Sequence, residues 1–424
     1  MIWVMFLSFF VFLLLRVPVA FALGFSTLIY ILGAGLPVVL VPLKMYAGID
    51  VFVLLSIPGF ILAGNLMNAC GMTERIVQFC NDLLGHIRGG LSLANIGASM
   101  IFSGISGTAI ADTASIGSIL IPAMKKEGYE ADFSCAVTAS SSTIGPIIPP
   151  SMPMIIAGSL SGLSIGKLFL AGAIPGLLLA MGFMIASYII SVKRNHPKHD
   201  RVAVNKVGKS FVDAFWALMM TLLILFGIVG GVFTPTEASI VAVLYALVIG
   251  VFFYRTLNFK SIVKVMKSTM GTTSSLMLLV GFANLFGWIL VSEQIPQGIA
   301  AGLLEISDNK WVLLLLINLL LIIVGTFMET IAALLILFPI LLNVATGVGI
   351  DPIQFGVVAV LNLMIGLNTP PVGVCLFVAS GIGNVSVEKI AKAGLPFLLV
   401  SLLVLTMVSA IPELSLFLPK IFSR

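Results

Sequence analysis

The residues that could do chemistry in this chain are small polar residues and prolines that interrupt long apolar segments. The segment FSGISGT (102–108) offers hydroxyls from Ser103, Ser106 and Thr108, and its glycines allow the backbone to approach an ion closely. Residues 142–153 read STIGPIIPPSMP, and each of the four prolines removes a backbone donor, at a cost of about 3 kcal/mol inside a helix. Backbone carbonyls released by such a break can coordinate a cation, and the half-helix ends can face an anion.

The same pattern occurs a second time in the chain. Residues 365–374 read IGLNTPPVGV, against IGPIIPPSMP at 144–153, and the double prolines lie 221 residues apart (370 − 149). Further pairs occur in the same order at nearly the same offset, Pro18 with Pro235 and Asn65 with Asn284. One proline-rich segment alone is typical of a kinked membrane helix, and FSGISGT alone could serve close helix packing. Their matched repetition favours a pair of binding sites.

Three carboxylates fall within apolar segments, and acids at such depth are candidates for function. Asp112 and Glu329 each follow a predicted hairpin tip, so we expect both to bind an ion or substrate. The alternative is a structural carboxylate at a helix start, where negative charge is favourable. That structural role is the favoured interpretation for Glu237, which lies in the segment TPTEA.

The composition excludes a water-soluble globule. Of 424 residues, 59% are hydrophobic and 9% are charged, whereas soluble domains carry about 25% charged residues. The four cysteines are scattered without metal-ligand or disulfide spacing, and the net charge of +5 comes from loops, so it gives no reason to expect nucleic-acid binding. The chain is predicted to be an all-α, multi-pass membrane protein and not an enzyme.

The order of apolar segments predicts two repeats, each with five spans, one re-entrant hairpin and one proline-broken helix. The hairpin is predicted because the two pieces that flank FSGISGT are shorter than the roughly 20 residues of a full span. Five is an odd number of crossings, so the second repeat must be inverted relative to the first. The predicted units are repeat one at 1–192, with hairpin 90–124 and broken helix 133–161; a linker at 193–213; and repeat two at 214–424, with hairpin 311–343 and broken helix 353–382. Repeat two is also predicted to contain a span at 271–292, an arm at 295–308 and a last span at 395–418.

The positions of the basic residues predict which side of the membrane each loop faces. When the loop 193–210 is placed in the cytoplasm, 17 of the 22 lysines and arginines fall on that side. The excess agrees with the tendency of cytoplasmic loops to be positive. Both chain termini are then predicted to lie on the opposite, periplasmic side.

The motifs themselves resemble a known family. The segments RVPVAFALG (16–24), FSGISGTAIADTASIG (102–117), STIGPIIPPS (142–151), FTPTEAS (233–239) and LNTPPVG (367–373) are similar to those of the large membrane subunit of TRAP transporters, the tripartite ATP-independent periplasmic systems of bacteria. The resemblance covers essentially the whole chain.

This resemblance implies a function. It implies sodium-driven import of an organic acid across the bacterial inner membrane by an elevator motion, with about two Na⁺ as coupling ions. It also implies two protein partners, a small TRAP membrane subunit on a separate chain and a periplasmic substrate-binding protein. The best-known substrates are sialic acid and C4-dicarboxylates. Sialic acid is favoured because Lys and Arg are absent from 102–117 and 321–343, where a second carboxylate would need a partner.

The resemblance also assigns residues to sites. One sodium is expected between the first hairpin tip and the first break, at Ser103, Ser106, Gly145, Ile148 and Pro150. A second is expected between the second tip, GTFMET, and the second break, at Gly325, Thr326, Gly366, Asn368 and Thr369. Substrate is expected between the tips, near Ser106, Thr108, Asp112 and Glu329.

Two other functions stay open at this point. A stand-alone sodium–carboxylate symporter of similar architecture would need no binding protein. A channel or an intramembrane enzyme is the third hypothesis. An ATP site is excluded, because SGLSIGKL (161–168) lacks the first glycine and the final Ser/Thr of a phosphate-binding loop.

Overall fold

The structure is a computed structural model that describes residues 1–15, 17–295, 297–299, 302 and 309–422, without the side chains of Leu14 and of residues 103–106. The described residues form helices and connecting turns, with no strand among them. The helices of the first half are α1 Ile2–Leu14, α2 Val19–Gly33, α3 Leu40–Ile49, α4 Ser56–Ala69, α5 Met72–Leu84, α6 Gly90–Ser106, α7 Ala109–Lys126, α8 Ala131–Ser142, α9 Met152–Ser161 and α10 Ile165–Lys193. Those of the second half are α11 Val204–Val229, α12 Pro235–Val248, α13 Phe259–Ser292, α14 Lys310–Phe327, α15 Thr330–Gly347, α16 Pro352–Gly366, α17 Val374–Gly383, α18 Val387–Ala410 and α19 Glu413–Phe422.

The chain is a multi-pass membrane protein. Within its described part, eight helices are long and apolar enough to cross a membrane: Phe52–Ala69, Ile165–Lys193, Val204–Val229, Pro235–Phe253, Phe259–Ser292, Lys310–Phe327, Thr330–Gly347 and Val387–Ala410.

Each proline-rich segment separates two short helices. The first break, residues 143–151, lies between α8 and α9, and the second break, residues 367–373, lies between α16 and α17. Both double prolines are joined by cis peptide bonds. After the first break, Ser151 begins α9 by accepting a hydrogen bond from the Met154 amide at 3.2 Å. The breaks thus lie where the prolines predict them.

The packing of the two halves is mirrored. In the first half, both hairpin helices, α6 and α7, pack against α8, and in the second half α14 and α15 pack in the same way against α16. Across the halves, α9 packs against α15 and α16, while α17 packs against α7 and α8. We call these eight helices the inner bundle. The pairing agrees with two related repeats, whereas their opposite orientation in the membrane stays a prediction.

The outer helices α1–α4 and α11–α13 lie beside this bundle. Here the asparagines Asn65 and Asn284 each donate a hydrogen bond to another helix. Asn65 Nδ2 on α4 donates to Thr269 Oγ1 on α13 at 3.0 Å, and Asn284 Nδ2 on α13 donates to the Lys44 carbonyl at 2.7 Å. Each asparagine therefore joins helices that are distant in sequence.

Several element bounds differ from the sequence-based prediction. The helix α3 was not predicted, and α13 begins at Phe259 although only 271–292 was predicted as a span. The last predicted span, 395–418, is two helices, because Ile411 precedes Pro412 and adopts an extended conformation with φ −118° and ψ 91°. The predicted second arm, 295–308, lies mostly outside the described residues.

Candidate functional site

The first hairpin tip lies directly on the first break. The turn between α6 and α7 passes through Gly107, at φ +63°, a conformation that favours glycine. A Cβ on Gly107 would lie 3.2 Å from Met152 Cγ and 3.6 Å from the Pro150 carbonyl. Thr108 then begins α7, with its hydroxyl accepting a hydrogen bond from the Ala111 amide at 3.4 Å.

The predicted ligands of the first sodium are only partly visible. Gly145 and Pro150 are buried in the first break, and Ile148 beside them is half-buried. Ser103 and Ser106 belong to the last turn of α6, but their side chains lie outside the described residues. The structure therefore places the tip and the break together, and the coordination itself stays a prediction.

The second tip meets the second break more closely. A Cβ on Gly366 would lie 2.5 Å from the Gly325 Cα, so the two helices touch backbone to backbone. The Gly373 amide in the break donates to the Thr326 carbonyl at 3.2 Å. The Thr369 hydroxyl is directed back to the Ile365 carbonyl at 2.7 Å. The second tip and the second break therefore bring four predicted site residues next to one another: Gly325, Thr326, Gly366 and Thr369.

Asn368 has the chemistry expected of a cation ligand. Its Nδ2 donates to the Ala139 carbonyl of the first broken helix at 3.0 Å. Its Oδ1 is buried and has no hydrogen-bond partner among the described residues. An amide oxygen is a hard ligand, the kind of ligand that hard metal cations prefer. The described residues contain no group of three or more His, Cys, Asp or Glu that could hold a metal ion, so a cation here would depend on carbonyl, amide and hydroxyl oxygens.

Both tips and both breaks meet at one cavity of about 20 Å³, which in this structure has room for about one water molecule. It is lined by Thr108, Ala109, Ile110, Pro146, Pro153, Glu329, Thr330, Ile331, Met364 and Leu367. The Thr330 hydroxyl is buried and has no hydrogen-bond partner within the described part of the chain. Of the predicted substrate residues, Thr108 and Glu329 thus face the same space from opposite halves.

The three candidate acids differ in their surroundings. Asp112 is fully buried in the first turn of α7. Glu329 begins α15 and accepts hydrogen bonds from the Ile331 amide at 2.9 Å and the Ala332 amide at 3.3 Å. Glu237 forms a capping box with Thr234, which confirms the structural role favoured for it. Glu329 also acts as a cap, while its role in binding stays a prediction.

Sequence reasoning missed a pair of polar contacts that attach each hairpin to its broken helix. In the first half, the Ser141 hydroxyl on α8 donates to Asn95 Oδ1 on α6 at 3.2 Å. In the second, Asn362 Nδ2 on α16 donates to Asn318 Oδ1 on α14 at 2.9 Å. Residues 141 and 362 are 221 apart, the offset of the double prolines. That offset was the signal that could have revealed them.

Comparison with known proteins agrees with this arrangement. Residues 6–414 match the family described as "Tripartite ATP-independent periplasmic transporter, DctM component". The chain belongs to this family. The resemblance inferred from the motifs is therefore confirmed.

Relatives of this DctM-family chain match most of its length. It is 46% identical over 406 residues to the sialic acid TRAP transporter large permease protein SiaM of Vibrio cholerae, covering 96% of this chain and 95% of that protein. It is 39% identical over 378 residues to the C4-dicarboxylate TRAP transporter large permease protein DctM of Pseudomonas aeruginosa, covering 89% and 88%. These relatives are named as transporter permeases, in agreement with the prediction that the chain is not an enzyme.

The fold is also similar to a solved structure. The YdaH transporter of Alcanivorax borkumensis superimposes with a TM-score of 0.60 and 15% sequence identity, covering 88% of this chain and 87% of that one. At this identity the likeness concerns the fold alone, and it supports the prediction of an all-helical fold.

Proposed function

We propose that this chain is the large membrane subunit of a sodium-driven TRAP transporter that imports an organic acid across the bacterial inner membrane. The observation that carries the proposal is the convergence of two hairpin tips and two helix breaks on one space in a DctM-family chain. A periplasmic binding protein would deliver the substrate, and a separate small membrane subunit would complete the complex. Both termini would lie in the periplasm.

The local chemistry supports coupling between cations and an anion. Two Na⁺, one at each tip and break, would add positive charge beside a space that offers hydroxyls and a carboxylate but no Lys or Arg among its lining residues. An anion entering the membrane interior has a large desolvation cost, which bound cations reduce. Cations that order the tips would also lower the entropy that substrate binding loses, and this couples the two events.

Sialic acid is the favoured substrate and a C4-dicarboxylate is the second candidate. The relative at 46% identity is named for sialic acid, and the C4-dicarboxylate permeases compared are 34–39% identical. One carboxylate needs fewer cationic partners than two, and the lining residues supply none.

Uptake into proteoliposomes tests the proposal. Vesicles would contain this chain and its small partner, and labelled sialic acid or succinate would be supplied with and without a sodium gradient and the purified binding protein. Uptake that requires both is the expected result. Uptake with sodium alone would instead favour a stand-alone symporter, and currents far above transporter turnover would favour a channel.

Two variants connect the uptake to the site. Asp112→Asn and Glu329→Gln keep the size of each side chain and remove its charge, and we expect each to lower uptake by about ten-fold or more, the effect of losing one charged hydrogen bond. Glu237→Gln is the matched control, because that acid caps α12 and does not line the cavity. Unchanged uptake in both site variants would remove these acids from the proposed site.

The elevator motion requires the inner bundle to slide along the outer helices. Asn68 on α4 and Ser115 on α7 are hydrogen-bonded across this boundary at 3.3 Å. Cysteines at these two positions should therefore crosslink in the present state and lose the crosslink when sodium and substrate shift the equilibrium. A crosslink that persists at full yield while uptake continues would contradict the motion.

A further inference from the structure

The linker between the two halves is attached to the first half over part of its length. It follows α10, which ends at Lys193, and precedes α11, which begins at Val204. The α10 helix packs against α6, α8 and α9 of the inner bundle, whereas α11 is an outer helix that packs against α5 and α12. The linker therefore joins the two parts that the proposed elevator moves against each other. We call its residues 194–199 the strap.

His196 attaches the strap most firmly. Its side chain is only 3% exposed, although it belongs to a loop. Its Nε2 lies 2.7 Å from Glu130 Oε2, and its Nδ1 lies 3.0 Å from Ser191 Oγ. The ring contacts those of Tyr129 and Phe133, at centroid distances of 4.5 and 4.8 Å. Because both ring nitrogens have partners, burial of this imidazole leaves no unsatisfied polar atom, and the strap is fixed to the start of α8.

Two ion pairs add to this attachment. Arg194 Nη1 lies 3.4 Å from Glu130 Oε2, and His199 Nε2 lies 2.8 Å from Glu127 Oε2, just after α7. The side chains of His199 and Glu127 are 46% and 31% exposed. Exposed pairs contribute little to stability. We therefore expect the buried His196 to hold the strap more strongly than His199.

The strap also spans the turn between α5 and α6. This turn, residues 85–89, reads GHIRG, and Gly89 has a φ of +75°, which favours glycine. The Gly89 amide donates to the Pro197 carbonyl at 3.1 Å, and the His199 amide donates to the Gly85 carbonyl at 3.0 Å. One bond lies at each end of the turn. A large change in the angle between α5 and α6 would therefore break at least one of them.

The length of the linker depends on whether the strap is attached. In the present state, only residues 200–203 separate the strap from α11, and four extended residues reach at most about 14 Å. A detached strap would leave residues 194–203 free, and ten extended residues reach about 35 Å. The attached strap thus withholds chain length that a longer movement of the inner bundle would need.

We propose that the strap detaches from the inner bundle when the bundle moves along the outer helices, and that His196 holds the strap in place until then. The proposal rests on the proposed function. Detachment would give the linker the length that the movement requires, and it would release the turn at 85–89. Attachment stabilises the present state, so His196 is a positioning residue for transport and has no contact with substrate.

A reversible crosslink between the strap and the inner bundle tests the proposal. The chain would carry Glu127→Cys and His199→Cys, and its four native cysteines are buried, so they should react little. A bifunctional thiol reagent with a reducible bridge should lower uptake into proteoliposomes at least about ten-fold, because the linker then keeps its reach of about 14 Å. Dithiothreitol should restore uptake.

A second crosslink is the matched control. Glu413 and Lys420 form an exposed ion pair at 2.7 Å within α19, remote from the strap in sequence. Glu413→Cys with Lys420→Cys should react with the same reagent and keep its uptake. Undiminished uptake by the fully crosslinked strap variant overturns the proposal. Absent uptake in the unmodified chain overturns the proposed function instead.

Proteolysis tests the role of His196 without a transport measurement. Lys198 and Arg201 are exposed, so trypsin can cleave there once the strap opens. In the purified complex, His196→Ala should raise the cleavage rate about five-fold or more, the effect of losing one hydrogen bond. His199→Ala should raise it less, because its ion pair is exposed. A rate in His196→Ala that equals that of the unmodified chain, or falls below that of His199→Ala, overturns the role of His196.

Discussion

The first hairpin tip is capped by a hydroxyl at Thr108 and the second by a carboxylate at Glu329, although these residues are 221 positions apart, the offset of the double prolines. The buried acid of the first half, Asp112, corresponds to Ala333 in the second. The two tips thus share a backbone design, in which one residue ends a turn and starts a helix, but they differ in where negative charge lies. Similar backbone geometry at the two tips is therefore compatible with different charged and polar side chains.

The contacts between tip and break differ as well. At the first tip, Gly107 faces the flexible side chain of Met152, whereas at the second tip Gly325 and Gly366 touch backbone to backbone. A side chain can move by a few tenths of an ångström, and a helix backbone in a packed bundle cannot. The second contact should therefore tolerate less change than the first.

The largest effect is expected from Gly366→Ala. The new Cβ would lie 2.5 Å from the Gly325 Cα, and overpacking of this kind costs about 1–3 kcal/mol or more. The thermal unfolding midpoint in detergent should fall clearly. Gly381→Ala is the control, because nothing lies within 4 Å of its Cβ position. Equal midpoints for the two variants would refute the backbone contact.

Gly107→Ala should destabilise the protein less. Its φ of +63° disfavours a side chain by about 1–2 kcal/mol, while Met152 can move aside. The same unfolding measurement should place this variant between Gly366→Ala and the unmodified chain. A loss greater than that of Gly366→Ala would reverse the comparison between the two tips.

Glu329→Ala removes two capping hydrogen bonds, from Ile331 and Ala332, and should cost about 1 kcal/mol. Glu329→Gln keeps an acceptor oxygen and should retain most of that stability. Unfolding midpoints and uptake measured on both variants separate capping from charge. If Gln restores stability and uptake alike, the charge of Glu329 has no role.

Thr108→Ala should have the smallest effect on stability. The capping bond to Ala111 is long, at 3.4 Å, so we expect a loss of about 0.5 kcal/mol, near the lower end for such caps. Thr108→Ser retains the hydroxyl and is the matched control. An unfolding midpoint lowered as far as that of Glu329→Ala would show that the two caps are energetically alike.

Sequence reasoning located the breaks and the tips because their signals are local. Prolines interrupt a helix, and a capping residue can be recognised from the residues of the following helical turn. The contacts that connect distant segments have no such signal: Asn65 and Thr269 are 204 residues apart, and Asn68 and Ser115 are 47 apart. The start of α13 was missed for a related reason, because KSTMGTTSS lacks the apolar composition of a span, and the partner of its Thr269 is Asn65 on a helix distant in sequence.

The hydrogen bond from Asn368 to the Ala139 carbonyl has a consequence for biosynthesis. Its partners are 229 residues apart, and Lys125 similarly donates to the Gly383 carbonyl, 258 residues away. At about 5–20 residues per second, roughly 10–50 s pass between the synthesis of Ala139 and that of Asn368. During that interval the first half is already in the membrane without the partners that complete its broken helix. Its assembly must therefore wait for the second half, and a ribosome that stops early leaves a product whose central polar groups have nothing to bind.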